Sequence, residues 1–320
     1  MPEHLRRERA IGWLAFASIW LVWGSTFLAI RYAIVGIPPV LMCALRLLAA
    51  GAVLTVWARA TGRPWPRGIE WRNAALVGLL LPGVGNVSVT IGVAHVPSGL
   101  VALLVSTIPL WMALLASWGP HAEPPGRQAL AGLGIGFAGI ALLIGPGLVG
   151  GHGAQISPLW ALVPIGGSLS WAWGSLWSRR ARLPGSPLMS TGIGLLTAGA
   201  GSFLLAGARG ELARWNAAAT PASAWVALAY LAAFGSVLGF SAYLYLLRRW
   251  PPSVVATYAF VNPIVAMFVG FAIGGETLTP RTLAAAAVVL AAVLLITTAQ
   301  AAPRREGVAA GIGALPARRP

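Results

Sequence analysis

Apolar residues dominate this 320-residue chain in long runs separated by short polar breaks. Stretches of about 20 such residues are long enough to cross ~30 Å of hydrocarbon as helices. Ten can be drawn, near residues 11–34, 39–58, 73–94, 97–118, 127–145, 158–178, 188–207, 224–247, 252–274 and 280–300. The seventh is rich in glycine and carries the weakest pattern. Between the third and fourth lie only His95-Val96-Pro97-Ser98, which demands a tight hairpin. Pro97, Pro158 and Pro252 fall at expected helix starts, where a missing N–H costs little. The pattern predicts an all-α integral membrane protein of ten transmembrane helices. A tail at 1–10 precedes a first unit at 11–147. A second unit at 157–300 is followed by a tail at 301–320.

Composition supports that reading. Hydrophobic residues make up 58% of the chain and charged residues 9%, with a mean hydropathy of +0.78. Soluble domains carry about 25% charged residues, so an ordinary soluble protein and a disordered chain are both excluded. Cys43 is the single cysteine, so no intramolecular disulfide can form. The N-terminal arginines and the apolar run from Ile11 have the outline of a signal peptide. The run is too long for one, and no small-residue cleavage site follows it, so a retained first helix is expected.

The 22 basic residues are all arginine and stand against 7 acids, a net charge of +15. In a soluble protein this would suggest nucleic acid; in a membrane protein it fixes orientation. With a cytoplasmic N-terminus, the inner segments hold most of the arginines. The outer ones hold only Arg209, Arg214 and Arg281, and Arg31 and Arg46 fall within spans. The expectation is a multi-pass inner-membrane protein with both termini cytoplasmic, as a monomer or homodimer, whose partners are the lipid bilayer and a small-molecule metabolite, with no nucleic acid.

The chain also repeats itself. Trp23-Gly24-Ser25 in the first span reappears as Trp173-Gly174-Ser175 in the sixth. Pro97-Ser98 parallels Pro252-Ser253, and each pair is followed by an interior proline, Pro109 or Pro263. Glu123 and Arg127 parallel Glu276 and Arg281. Two units of five helices enter the membrane from opposite sides, which is the inverted repeat of many secondary transporters.

Trp23-Gly24-Ser25-Thr26-Phe27 with Arg31-Tyr32-Ala33 resembles the opening motif of EamA-type carriers in the drug/metabolite transporter superfamily. Val96-Pro97-Ser98-Gly99-Leu100 through Pro109-Leu110-Trp111 is similar to that family's fourth helix. Val261-Asn262-Pro263 through Gly275-Glu276 is similar to its ninth helix and the following turn. The resemblance covers roughly residues 12 to 300. It implies a ten-helix fold of two EamA repeats and export or exchange of small metabolites.

Ionisable groups at membrane depth are costly and are functional candidates by default. None of the seven acids falls mid-span, so a proton relay on a buried carboxylate has no candidate. Arg46 lies seven residues past Pro39, ~10 Å into its helix, and a substrate carboxylate or phosphate could neutralise it. Arg31, nearer its helix end, is expected to snorkel. Asn86, Asn262, Tyr258, Ser25 and Thr26 could give a cavity its polar lining, with the repeat-related Trp23 and Trp173 walling it from two sides. No metal site, cofactor or catalytic residue is expected, because no metal-ligand spacing, Walker A sequence or hydrolase motif occurs.

The reading that results is a secondary transporter, an exporter or exchanger of a small organic metabolite such as an amino acid, working by alternating access. A membrane-embedded enzyme or lipid-handling protein is the alternative class. A cationic drug efflux pump is a further alternative, disfavoured by the missing buried acid.

Overall fold

The computed structural model describes residues 3–117, 127–148, 157–250, 255 and 258–301. Among them there is no strand. The helices are α1 (Glu3–Ala17), α2 (Trp23–Ala33), α3 (Pro39–Ala60), α4 (Ile69–Gly78), α5 (Asn86–His95), α6 (Ser98–Val105), α7 (Ile108–Ala116) and α8 (Arg127–Leu148). They continue with α9 (Pro158–Arg180), α10 (Pro187–Ala208), α11 (Glu211–Arg214), α12 (Ala222–Tyr230), α13 (Gly239–Arg249), α14 (Tyr258–Ala272) and α15 (Pro280–Ala301).

Several expected spans are compound. Three contain a π-helical turn: Ser18–Val22 joins α1 to α2, Leu79–Gly85 joins α4 to α5, and Leu231–Leu238 joins α12 to α13. The second and third of these fall within the third and eighth expected spans. Pro82 explains one of them, since proline has no N–H to give and its ring disrupts the α ladder. The fourth span is broken at Ser106-Thr107, between α6 and α7, just before Pro109.

Among the described residues, six continuous stretches are long and apolar enough to cross a membrane: Ala10–Ala33, Pro39–Ala60, Ile69–His95, Ser98–Leu115, Pro187–Ala208 and Ala222–Arg249. The glycine-rich seventh span is therefore a full helix, α10. Leu130–Gly139, Val261–Ala272 and Pro280–Leu295 are shorter apolar segments. Helix α9 covers the sixth predicted span, with Trp, Ser and a terminal Arg pair diluting its apolar character. The chain is thus an all-helical membrane protein. Pro252, Ser253 and Glu123 of the repeat lie outside the described residues.

Lipid is as apolar as leucine, so helices in a membrane associate mainly by close packing of small residues. Helix α3 packs along α10, and α8 along α15. In the first pair, a Cβ on Gly51 would lie 2.7 Å from the Leu196 N, and one on Gly199 would lie 2.8 Å from the Leu48 N. Further in, α2 packs on α12 and α14, while α9 packs on α6, α7, α5 and the π turn before α5. Outward positions are apolar and exposed, Val56, Leu204 and Phe268 among them.

Among the described residues two acids, Glu211 and Glu276, are buried, and both satisfy helix N-termini. Glu211 accepts from the Leu41 N–H at 2.9 Å, in the first turn of α3, and from Arg209 Nε at 3.1 Å. Glu276 follows the C-terminus of α14. There Gly275 takes φ +64°, and the Glu276 N–H bonds back to the Gly270 carbonyl at 3.0 Å, a glycine-terminated helix end. This turn sets the Glu276 carboxylate against the first turn of α6. It accepts from the Ser98 N–H (2.8 Å), the Ser98 hydroxyl (2.6 Å) and the Gly99 N–H (3.1 Å). Arg31 completes the site at 2.8 Å. The expected snorkelling of Arg31 is corrected: its guanidinium, half-exposed, pairs with Glu276. Burial pushes the Glu276 carboxyl up, but these donors together outweigh burial and hold it below its ordinary value.

Candidate central binding site

Arg46 is 2% exposed and sits on α3, two turns beyond the Pro38-Pro39 start. Its Nε donates to the Ser236 hydroxyl at 2.7 Å. Ser236 belongs to the π turn Leu231–Leu238, and the preceding Gly235 leaves room for the guanidinium. A Cβ there would lie 2.8 Å from Arg46 Nη2 and 2.9 Å from Thr26 Cγ2. The Gly235 carbonyl accepts from Trp23 Nε1 at 3.0 Å. One turn of the eighth span thus holds both Arg46 and Trp23. Among the described residues Arg46 has no acidic partner. Burying a guanidinium without one is costly, and its Nη groups have no hydrogen-bond partner among the described residues.

Arg46 borders a central cavity of ≈ 60 Å³. Its walls include Trp23, Thr26, Asn86, Trp171, Tyr258 and Asn262. The aromatic rings form an edge-on cluster. Trp23 lies 5.6 Å from Trp171, 5.6 Å from Phe240 and 5.3 Å from Tyr258, centroid to centroid. At least ~10–15 Å³ is needed per water in such a space, so this cavity has room for no more than a few waters.

The residues singled out from the sequence divide here. Arg46, Asn86, Asn262, Tyr258, Trp23 and Thr26 all border the cavity. The Thr26 hydroxyl is turned to its own helix, donating to the Trp23 carbonyl at 2.6 Å. Asn86 Nδ2 is buried without a hydrogen-bond partner. With its amide oriented to satisfy its surroundings, Asn262 donates to the Ile19 and Trp20 carbonyls at 3.1 and 2.9 Å. These carbonyls belong to the first π turn, so Asn262 braces an irregular backbone.

Two expected residues are placed elsewhere. Trp173 is 58% exposed on the outer face of α9. The second tryptophan of the cavity is Trp171, since two residues along a helix turn about 200°. Ser25 is not among the cavity-lining residues; its hydroxyl bonds to the Val22 carbonyl at 2.8 Å and to the Tyr230 hydroxyl at 2.7 Å. Ser236, Trp171, Phe240 and Ser168 join the site without having been singled out for it. Nothing in the sequence marked Ser236 as the partner of Arg46. Among the described residues no cluster of three His, Cys, Asp or Glu could hold a metal.

A helical membrane protein with a small, largely apolar cavity around a buried cation is the class this geometry defines. Comparison with known proteins sharpens it. The model of the EamA-like transporter family matches residues 10–145 and again 158–298. The chain belongs to that family: it is a transporter of the drug/metabolite type, and not an enzyme.

It is 37% identical over 268 residues to the "Uncharacterized inner membrane transporter YedA" of Escherichia coli (strain K12), covering 83% of each chain. It is 26% identical to the "Probable terminal-alkyne amino-acid exporter" of Streptantibioticus cattleyicolor, covering 82% of this chain and 85% of that one. It is also 26% identical to the "Probable amino-acid metabolite efflux pump" of Salmonella typhimurium, covering 87% and 91%. A solved crystal structure at 20% identity matches with a TM-score of 0.63, covering 91% of this chain and 98% of that one, a likeness of fold alone.

Proposed function

We propose that this transporter is a secondary exporter or exchanger of a small organic anion, an amino acid or a close relative. Ten helices in two inverted five-helix repeats would carry it by alternating access, with both termini cytoplasmic. The observation that carries the reading is Arg46: buried, bordering the central cavity, and without an acid to neutralise it. A carboxylate is the natural complement of the Nη groups that Ser236 leaves unused. The aromatic cluster offers the substrate's carbon skeleton an apolar wall.

Three further observations support it. The first span packs through α2 on α12 and α14, of the eighth and ninth, and the sixth packs through α9 on α5 and α6, of the third and fourth, the pattern that two inverted repeats would give. Two relatives carry amino-acid export in their printed names. A ≈ 60 Å³ cavity is also well below the ~300–1,000 Å³ of ordinary ligand sites, so the helices must part before a metabolite can bind, as alternating access requires. At one end, the bonds from Glu276 to α6 and Arg31 tie the two halves together and would break when that end opens.

Transport of an amino-acid panel into proteoliposomes tests the assignment. Arg46→Ala should remove at least ~90% of carboxylate transport, and Arg46→Lys should retain part of it, since a lysine restores charge without the planar fork. Full carboxylate transport by Arg46→Ala would sink the site assignment while leaving the family intact.

A further inference from the structure

A second, larger space lies away from Arg46. A groove of ≈ 710 Å³ runs between α1, α13, the start of α10 and the turn after α3. Arg63 and Trp65 stand at one end, on the turn that follows α3. The walls then run along Leu14, Leu188 and Tyr245 to Leu238. Leu238 is seven residues before Tyr245, ~10 Å deeper along the helix. Leu14, Leu238 and Trp65 are all substantially exposed, at 67%, 40% and 51%. The groove is therefore open sideways, with a charged end at the helix termini and an apolar track descending from it.

The charged end is basic. The Arg63 side chain has no hydrogen-bond or ion-pair partner among the described residues, while its backbone N–H donates to the Ala58 carbonyl at 2.9 Å. Arg59 lies over the Trp65 ring at 5.5 Å and donates to the Arg63 carbonyl, which fixes the turn that carries Arg63. Arg249 lies 4.3 Å over the Tyr245 ring. Glu70 also borders the groove, with Arg182 beside it at 3.7 Å. Lower down, Ser241 Oγ is buried without a partner beside the apolar track.

We propose that this groove binds one anionic phospholipid, its phosphate at Arg63 and one acyl chain along Leu14, Leu188 and Leu238. The dimensions and polarity match a molecule with an anionic head and an apolar tail, and the excess of arginine over acid at the rim favours a net negative headgroup over a zwitterionic one. The C-terminal tail is the wrong occupant by charge, since residues 301–320 carry Arg304, Arg305, Arg318 and Arg319 against Glu306 alone. The site is independent of Arg46 and of the transported substrate.

Native mass spectrometry of the full chain, released from nanodiscs of phosphatidylglycerol or phosphatidylcholine with identical acyl chains, reads the retained lipid. The anionic lipid should be retained roughly ten-fold over the zwitterionic one. Arg63→Ala should lower that retention about five-fold, the effect of about one basic residue at a membrane surface. Arg72→Ala, exposed at the same end but outside the groove, should leave it unchanged. Ser241→Leu, which fills the track and keeps the rim charge, should lower retention of both lipids. Equal retention of the two lipids would overturn the proposal, as would Arg63→Ala behaving like Arg72→Ala. So would equal thermal protection by inorganic phosphate, since a free anion would then suffice. If Ser241→Leu does not fold, Arg63→Ala decides alone, because that side chain is exposed and bears no packing load.

Discussion

Glu276 shows how one side chain can serve three masters. It closes the C-terminal turn of α14, caps the start of α6 and pairs with Arg31. A carboxylate at a helix N-terminus meets both free N–H groups and the favourable end of the helix dipole. Because its folded value is depressed below the ordinary 4.5, its stabilising contribution is fully present above that ordinary value. It is lost as pH falls through the lower folded value. Thermal melts in detergent should therefore decline below about pH 4.5, and Glu276→Gln should flatten that decline. At neutral pH, Glu276→Ala should lower the melting temperature more than Glu276→Gln does, since the amide keeps an acceptor for Ser98. The sequence announced the ingredients, a proline-led helix start at Ser98 and an acid in a glycine turn, 178 residues apart. No local pattern could join them, because a cap contributed from another element is a tertiary event. Arg46 was legible for the opposite reason: an arginine inside an apolar run is conspicuous without any partner. Its bond to Ser236 was not, since a serine in a membrane helix is unremarkable.

The helices were legible where apolar run length decides, and less so where backbone geometry does. The seventh span was found despite its glycines, and those glycines are what let α3 and α10 lie against each other. Gly78 and Gly194 meet at the next contact, where a Cβ on Gly78 would come 2.2 Å from the Gly194 carbonyl oxygen. Backbone cannot yield as a side-chain tip can. Gly78→Ala should thus destabilise the transporter by about 1–3 kcal/mol, the usual cost of overpacking, read as a lower unfolding midpoint in detergent titration. The π turns were invisible in composition, since each is defined by hydrogen-bond register alone; only Pro82 hinted at one. Trp173 was misplaced for a related reason. The sequence match pairs Trp23 with Trp173, yet Trp23 touches Trp171, because packed partners need not be the residues that align.

At the scale of the whole molecule, arginine segregation implies a sided protein. Reporter fusions should report a cytoplasmic C-terminus at residue 320 and an external turn at Asn216, between α11 and α12. An external C-terminus would overturn the expected even count of spans. The two ends also differ in how they are closed. Acids hold the starts of α3 and α6, while arginines crowd the opposite rim around α13 and the turn after α3. Shared between both halves are the π turns, and they make chain length itself part of the binding site. A π turn accommodates one residue more than the α-helix it interrupts. Deleting a single residue within Leu231–Leu238 would restore regular winding, and the widened turn whose Gly235 carbonyl and Ser236 hydroxyl hold Trp23 and Arg46 would be lost. Trp23 and Arg46 would then lose their anchors while Phe240 and Tyr243 still faced the cluster, with no functional side chain mutated. An insertion or deletion there is therefore a change of wiring, and a carrier can gain or lose its substrate through the count of residues in a helix, with their identities untouched.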